Sequence, residues 1–268
     1  MIDRGRHNVL GVLVNAVDYE AAVHRIIDSA KRHETLGVTA LAVHGVMTGV
    51  MDDAHRHRLN NLDLIVPDGQ PVRWALNRLH GTELNDRVYG PTLMLKTCAA
   101  AEREGVSIFL LGSDQGMLDR LQQKLLERFP KLKIAGTRPS AFRQITPDEK
   151  VDLIEEVRSS GAQITFVGLG CPRQEVFVYE FGKELSMPCL AVGAAFAFHA
   201  GELDQAPPWM QRLGLEWFYR LTKEPTRLWK RYLFLNPYYV SLLVLQMTGL
   251  RKKDADDTVS PQGELLYG

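Results

Sequence analysis

Val66-Pro67-Asp68-Gly69-Gln70-Pro71-Val72-Arg73 and Val167-Gly168-Leu169-Gly170-Cys171-Pro172-Arg173-Gln174-Glu175 decide how this chain folds. Each follows a short apolar run that reads as a buried β-strand and opens into a run that reads as a helix. Such junctions gather at the carboxyl edge of an open α/β sheet, where helix N-termini present unpaired N–H groups to anions. The first junction carries a carboxylate, Asp68, followed by Gly69 and Gln70. The second carries Gly168 and Gly170 with Arg173, Gln174 and Glu175. A proton acceptor and a phosphate cradle are therefore both on offer.

The same alternation recurs on either side of these segments. Residues 9–14 read as a short strand and 18–33 as a helix with Ala21, Ala22, Ile26 and Ile27 on one face. Further strands are expected at 38–44, 62–66, 106–111, 131–135, 163–167 and 189–192, with helices near 115–128, 147–159 and 173–185. Apolar strands joined by helical crossovers predict an α/β domain over residues 1–205, its mainly parallel sheet covered by helices on both faces. From 206 to 250 aromatics and cations interleave, as in Glu216-Trp217-Phe218-Tyr219-Arg220 and Arg227-Leu228-Trp229-Lys230-Arg231-Tyr232. The stretch 232–250 is largely apolar but broken by Asn236-Pro237, and too short for a spanning helix, which needs about 20 apolar residues. It reads as a helical appendage that either lies in a membrane interface or packs on the domain or on a second copy of the chain. Residues 251–268 read as a disordered tail.

Composition narrows the function. At 268 residues and 45% hydrophobic, the chain can bury a substantial core. Lys+Arg and Asp+Glu stand at 32 each, so no global field favours nucleic acid. Cys98, Cys171 and Cys189, with no apparent export signal, fit a reducing cytoplasm.

Several motifs have two readings. Pro67-Asp68-Gly69 is turn chemistry on its own, yet Pro71 suits a first helical turn and places Asp68 at the crevice, where it could accept a proton from a hydroxyl. Gly168-Leu169-Gly170 lacks the third glycine of the dinucleotide fingerprint and no P-loop occurs, which disfavours nicotinamide and P-loop enzymes. Gly112-Ser113 and Gly193 are further small-residue loops at the same edge, either strand punctuation or parts of a nucleotide cleft. Cys171 at a helix start is a candidate nucleophile, or a small packing residue. His55 and His57 point to different helix faces and make a poor metal pair.

Taken together, Pro67-Asp68-Gly69, Asp86-Arg87-Val88-Tyr89-Gly90-Pro91, Phe109-Leu110-Leu111-Gly112-Ser113, Gly168 to Glu175, Ala191 to Phe196, and Gly214-Leu215-Glu216-Trp217 with Arg220, Glu224-Pro225 and Arg227 resemble the WecG/TagA/CpsF glycosyltransferase family. The resemblance covers about Val9 to Tyr232. It implies a Rossmann-like domain that moves a sugar from a UDP-sugar to a polyprenol-diphosphate-linked acceptor in surface or exopolysaccharide synthesis, inverting the anomeric carbon with neither metal nor cofactor. It makes Asp68 the general base, sets Arg87 and Gln174 on the substrates near the reacting centre, and lines the donor site with Gly168 to Gly170. Thr39 and His44 are the counterparts of a Thr-x-Asn pair. Arg220, Arg227 and Arg231 close over diphosphate, since without a metal guanidinium forks must balance that charge. The chain departs from the pattern at His44, at Ala197 where Asp is common, and at Gln205 where Arg is common. The expectation is a peripheral enzyme on the inner face of a bacterial cytoplasmic membrane. The rival readings are a hydrolase or acyl transferase using Cys171, and a non-catalytic membrane adaptor that senses a nucleotide.

Overall fold

The computed structural model describes residues 1–250 and 253–268, without the side chains of Arg227, Lys230 and Arg231. The chain starts with a hairpin, β1 (Asp3–Val9) and β2 (Val12–Val17), paired antiparallel. The single strand expected over 9–14 is thus broken in its middle: Leu10 and Gly11 both take positive φ, 58° and 93°, and form the two-residue turn. Helix α1 (Tyr19–Arg32) follows, its first turn capped by Asp18, which accepts from the Ala21 N–H at 2.8 Å.

Six strands then form one parallel sheet: β3 (Leu36–Leu41), β4 (Leu64–Pro67), β5 (Ser107–Gly112), β6 (Lys133–Arg138), β7 (Ile164–Gly168) and β8 (Pro188–Ala191). Their spatial order is β4-β3-β8-β7-β5-β6. The chain leaves β3 toward one edge and later fills the other side, so the boundary between β3 and β8 is the switch point where a crevice opens. The strand expected over 38–44 stops at Leu41 because a helix starts at Val43. Helices α2 (Val43–Met51), α3 (Asp53–Asn60), α4 (Gln70–His80), α5 (Gly90–Glu104), α6 (Gln115–Arg128), α7 (Pro147–Ser159) and α8 (Arg173–Leu185) connect the strands, and short α9 (Ala195–His199) follows β8.

Each face of the sheet has its own core. On one, Met47, Leu76, Phe177 and Phe181 pack with Val9 and Val12 of the hairpin. On the other, Ile26, Met94, Leu121 and Phe196 pack against the apolar faces of α1, α5, α6 and α9. This two-sided burial explains why the inner strands are largely apolar rather than alternating, while edge strand β6 carries Lys133 and Arg138.

The C-terminal region forms α10 (Pro208–Arg212), α11 (Glu216–Lys223), α12 (Pro225–Lys230), a π-helical turn (Arg231–Leu235) and α13 (Asn236–Met247). Tyr239 and Leu242 of α13 are buried in the domain. Gln246 ties the helix to the hairpin by accepting from the Leu10 N–H at 2.9 Å and donating to the Asn8 carbonyl at 3.1 Å. Its other face leaves Tyr238, Val240 and Val244 exposed, and Leu233 and Phe234 precede it in the same state. Among the described residues no helix is long and apolar enough to cross a membrane.

The described part of the tail lies against the domain. The Asp257 carbonyl accepts from Arg56, Glu180 accepts the N–H groups of Leu265 and Leu266 at 2.8 and 2.9 Å, and Lys150 bonds Glu264 at 2.7 Å. These partners are all distant in sequence.

Candidate active site

At the switch point a cavity of about 280 Å³ opens beyond the carboxyl ends of β3, β4 and β8. Strand β4 ends at Pro67, and the Asp68 N–H continues its pairing by donating to the Leu41 carbonyl at 3.1 Å. Gly69 then caps α4, with Pro71 in the first turn. The chain must turn at this point, and the turn swings the Asp68 carboxylate into the cavity wall. There it accepts from the Gly90 N–H at 3.2 Å, at the start of α5.

Burial raises the Asp68 pKa, the Arg87 guanidinium pulls it back down, and the Glu216 carboxylate pushes it up again. The outcome is about 7 rather than the ordinary 3.8. Such a value suits a group that exchanges a proton near neutrality. Arg87 is buried over the Tyr89 ring, 4.3 Å from its centroid, and its Nη2 donates to Glu216 Oε2 at 2.5 Å. Gln211 stands at 3.4 Å from the same nitrogen. Two groups from the C-terminal helices therefore hold the cation that faces Asp68.

The cavity has a second polar wall. Buried Gln174 donates to Glu175 Oε1 at 2.9 Å, and Thr39, wholly buried one layer behind, donates to the same oxygen at 3.0 Å. Burial raises the Glu175 pKa against these two bonds. Glu175 Oε2, Gln174 Oε1, Gln70 Oε1 and His44 Nδ1 are buried with no hydrogen-bond partner among the described residues, although all four side chains line the cavity. A ligand rich in O–H and N–H donors would satisfy them. Arg220 closes the opposite side from α11, its guanidinium 5.9 Å from the Phe198 ring centroid and 3.9 Å from Glu224.

Not every expected site residue is gathered here. Asp68, Gly69, Gln70, Arg87, His44, Gly170, Gln174, Glu175 and Arg220 line the cavity. Gly112, Ser113 and Gly168 do not: a Cβ at Gly112 would lie 2.7 Å from the Gly168 main chain, and one at Gly168 would lie 2.6 Å from the Phe196 ring. Close packing of β5, β7 and α9 accounts for both glycines. Ser113 turns its hydroxyl to Met117 Sδ at 2.8 Å. Arg173 is exposed and stacks over Tyr267 of the tail, 5.6 Å from its centroid. The side chains of Arg227 and Arg231 lie outside the described residues. Conversely, Glu216 and Tyr89 line the cavity without having been singled out, although both sit inside motifs quoted above.

A sequence model of the glycosyl transferase WecG/TagA/CpsF family matches residues 7–253. The chain belongs to this family. It is also similar to the N-acetylglucosaminyldiphosphoundecaprenol N-acetyl-beta-D-mannosaminyltransferase of Bacillus subtilis (strain 168), with 30% identity over 189 residues, 69% of this chain and 70% of the relative. In this WecG/TagA/CpsF glycosyltransferase Cys171 also lines the cavity. Burial and the neighbouring Glu175 hold the Cys171 pKa well above the ordinary 9.0, which opposes thiolate formation there.

Proposed function

We propose that the protein transfers a sugar from a UDP-sugar to a saccharide carried on polyprenol diphosphate, with inversion and without a metal, and that Asp68 is the general base. The observation that carries this reading is a half-buried carboxylate of pKa about 7 in a cavity that also holds Arg87 and Arg220. An acceptor hydroxyl gives its proton to Asp68 as its oxygen forms a bond to the anomeric carbon. The bond from that carbon to the UDP oxygen breaks on the opposite face, and UDP leaves with the electron pair. Guanidiniums at the cavity mouth offset the charge on the diphosphates. The relative's name supports N-acetylmannosamine as donor sugar and N-acetylglucosaminyl-diphosphoundecaprenol as acceptor. Exposed apolar side chains along α13 and the preceding turn would sit in the headgroup layer at the inner face of the membrane, where such an acceptor resides.

The test is UDP release from UDP-N-acetylmannosamine with a short-chain prenyl-diphosphate N-acetylglucosamine acceptor. The Asp68→Asn variant should bind UDP normally and lose about a hundredfold or more in turnover. Near-normal turnover in that variant removes Asp68 from the mechanism.

A further inference from the structure

The C-terminal helices reach the candidate base through one ion pair. Arg87 and Glu216 lie 129 residues apart in sequence, touch at 2.5 Å and are buried together, with side chains 8% and 12% exposed. Nothing in a fold-only account needs a carboxylate there. The loop before α11 already docks by shape, because Gly214 at φ +70° packs on Trp74 and Gln70, where a Cβ would come within 2.9 Å of the indole. An ion pair buried in such a place costs desolvation on both sides and is weak as a source of stability. It does, however, fix where the charge of Arg87 is spent. The guanidinium acts on two carboxylates that share the cavity wall, Asp68 and Glu216, and the negative charge of the second opposes its pull on the first.

We infer that Glu216 is a positioning residue of the transfer reaction: by holding Arg87 against the docked C-terminal helices it preserves Asp68 as a proton acceptor. This rests on the reading of Asp68 as the base. Among the described residues, the groups facing Asp68 come from three elements. From α1 comes Tyr19, from the segment before α5 come Arg87, Tyr89 and the Gly90 N–H, and from α11 come Glu216 and Arg220. Among these, Glu216 is the one anion. Without it two guanidiniums face one carboxylate, which then ionises more readily and takes a proton less readily.

The experiment is the pH profile of kcat/KM for UDP release with the substrates named above. In the Glu216→Gln variant, which keeps size and an accepting oxygen, the acid limb should move down by about one pH unit. Glu216→Asp, which keeps the charge, should hold the limb near its wild-type position even where turnover falls. Gln211→Glu, which brings a second carboxylate to Arg87, should move it upward and supplies the test if Glu216→Gln does not fold. A purely structural Glu216 would lower activity at every pH and leave the limb in place, and that result overturns the inference alone. A wild-type profile with no acid limb between pH 5 and pH 8 overturns the reading of Asp68 as base, and the inference with it.

Discussion

The raised pKa of Asp68 has a thermodynamic cost, and that cost can be measured without any substrate. The Asp68→Asn variant keeps the shape and an oxygen to accept from Gly90, but it titrates in neither the folded nor the unfolded chain. Below about pH 4 the wild-type carboxyl is protonated in both states, so wild type and variant should differ little. Between about pH 4 and pH 7 the unfolded chain ionises while the folded one keeps its proton. The folded state then binds more protons, and wild-type stability falls as pH rises through this window. Above pH 7 both states are ionised and the loss is constant. The gap between 3.8 and about 7, at roughly 1.36 kcal/mol per unit, sets a ceiling of about 4 kcal/mol. Residual solvent contact of the residue reduces this to about 2 kcal/mol, or about 4 °C in Tm for a chain of this size. Thermal unfolding at pH 4, 6 and 8 by circular dichroism should therefore show the variant melting with wild type at pH 4 and above it at pH 8. Parallel curves at all three values would refute the buried, proton-holding carboxyl and with it the basis for assigning Asp68 as base.

Three other outcomes are expected. The Cys171→Ala variant should keep most of its turnover, and maleimide should leave the wild type active at neutral pH, because the buried thiol beside Glu175 stays protonated; inactivation in both tests would revive nucleophilic chemistry. The Gly168→Ala variant should lose about 1–3 kcal/mol of stability by overpacking against Phe196 while calorimetry finds UDP affinity retained, whereas lost affinity with an unchanged Tm would place Gly168 in the donor site. Phe234, 66% exposed, should anchor the protein to anionic vesicles, so Phe234→Glu should weaken flotation about tenfold with Tm unchanged, and undiminished flotation would argue against an interfacial role for this turn.

How much of this was legible in the sequence depended on whether the deciding physics was local. Helices α6, α7 and α8 fall where expected, because Asp114 and Thr146 cap the first two and apolar periodicity marks all three. Asp68 was legible because turn chemistry, a strand end and a proline in the next helical turn coincide there. The hairpin was not, since its turn is Leu10-Gly11 rather than the Asn-Gly or Asp-Gly that advertises positive φ. Gly112 and Gly168 were legible as glycines but not in purpose, because a packing glycine and a phosphate-loop glycine look alike until the Phe196 ring is in view. The contacts of the tail were not legible either, because its composition is that of a solvated segment and its partners Arg56, Lys150 and Glu180 are all distant in sequence.

The Arg87–Glu216 pair illustrates why the site could not be completed from motifs alone. A glycosyltransferase that handles diphosphates needs fixed cations, while a base matched to neutral pH needs to be kept from them, since each neighbouring guanidinium lowers a carboxylate pKa. Burial alone would meet the second demand only by losing the first. On the proposed reading, charge pairing around the cavity answers this conflict: Asp68 and Glu216 both act on Arg87, and Arg220 has Glu224 nearby. Glu216, Arg220 and Glu224 lie in or just after α11, so one of the two cations and the anions paired with both belong to the C-terminal region. A variant that removes any one charge should therefore be judged by what it does to Asp68 as well as by the contact it deletes.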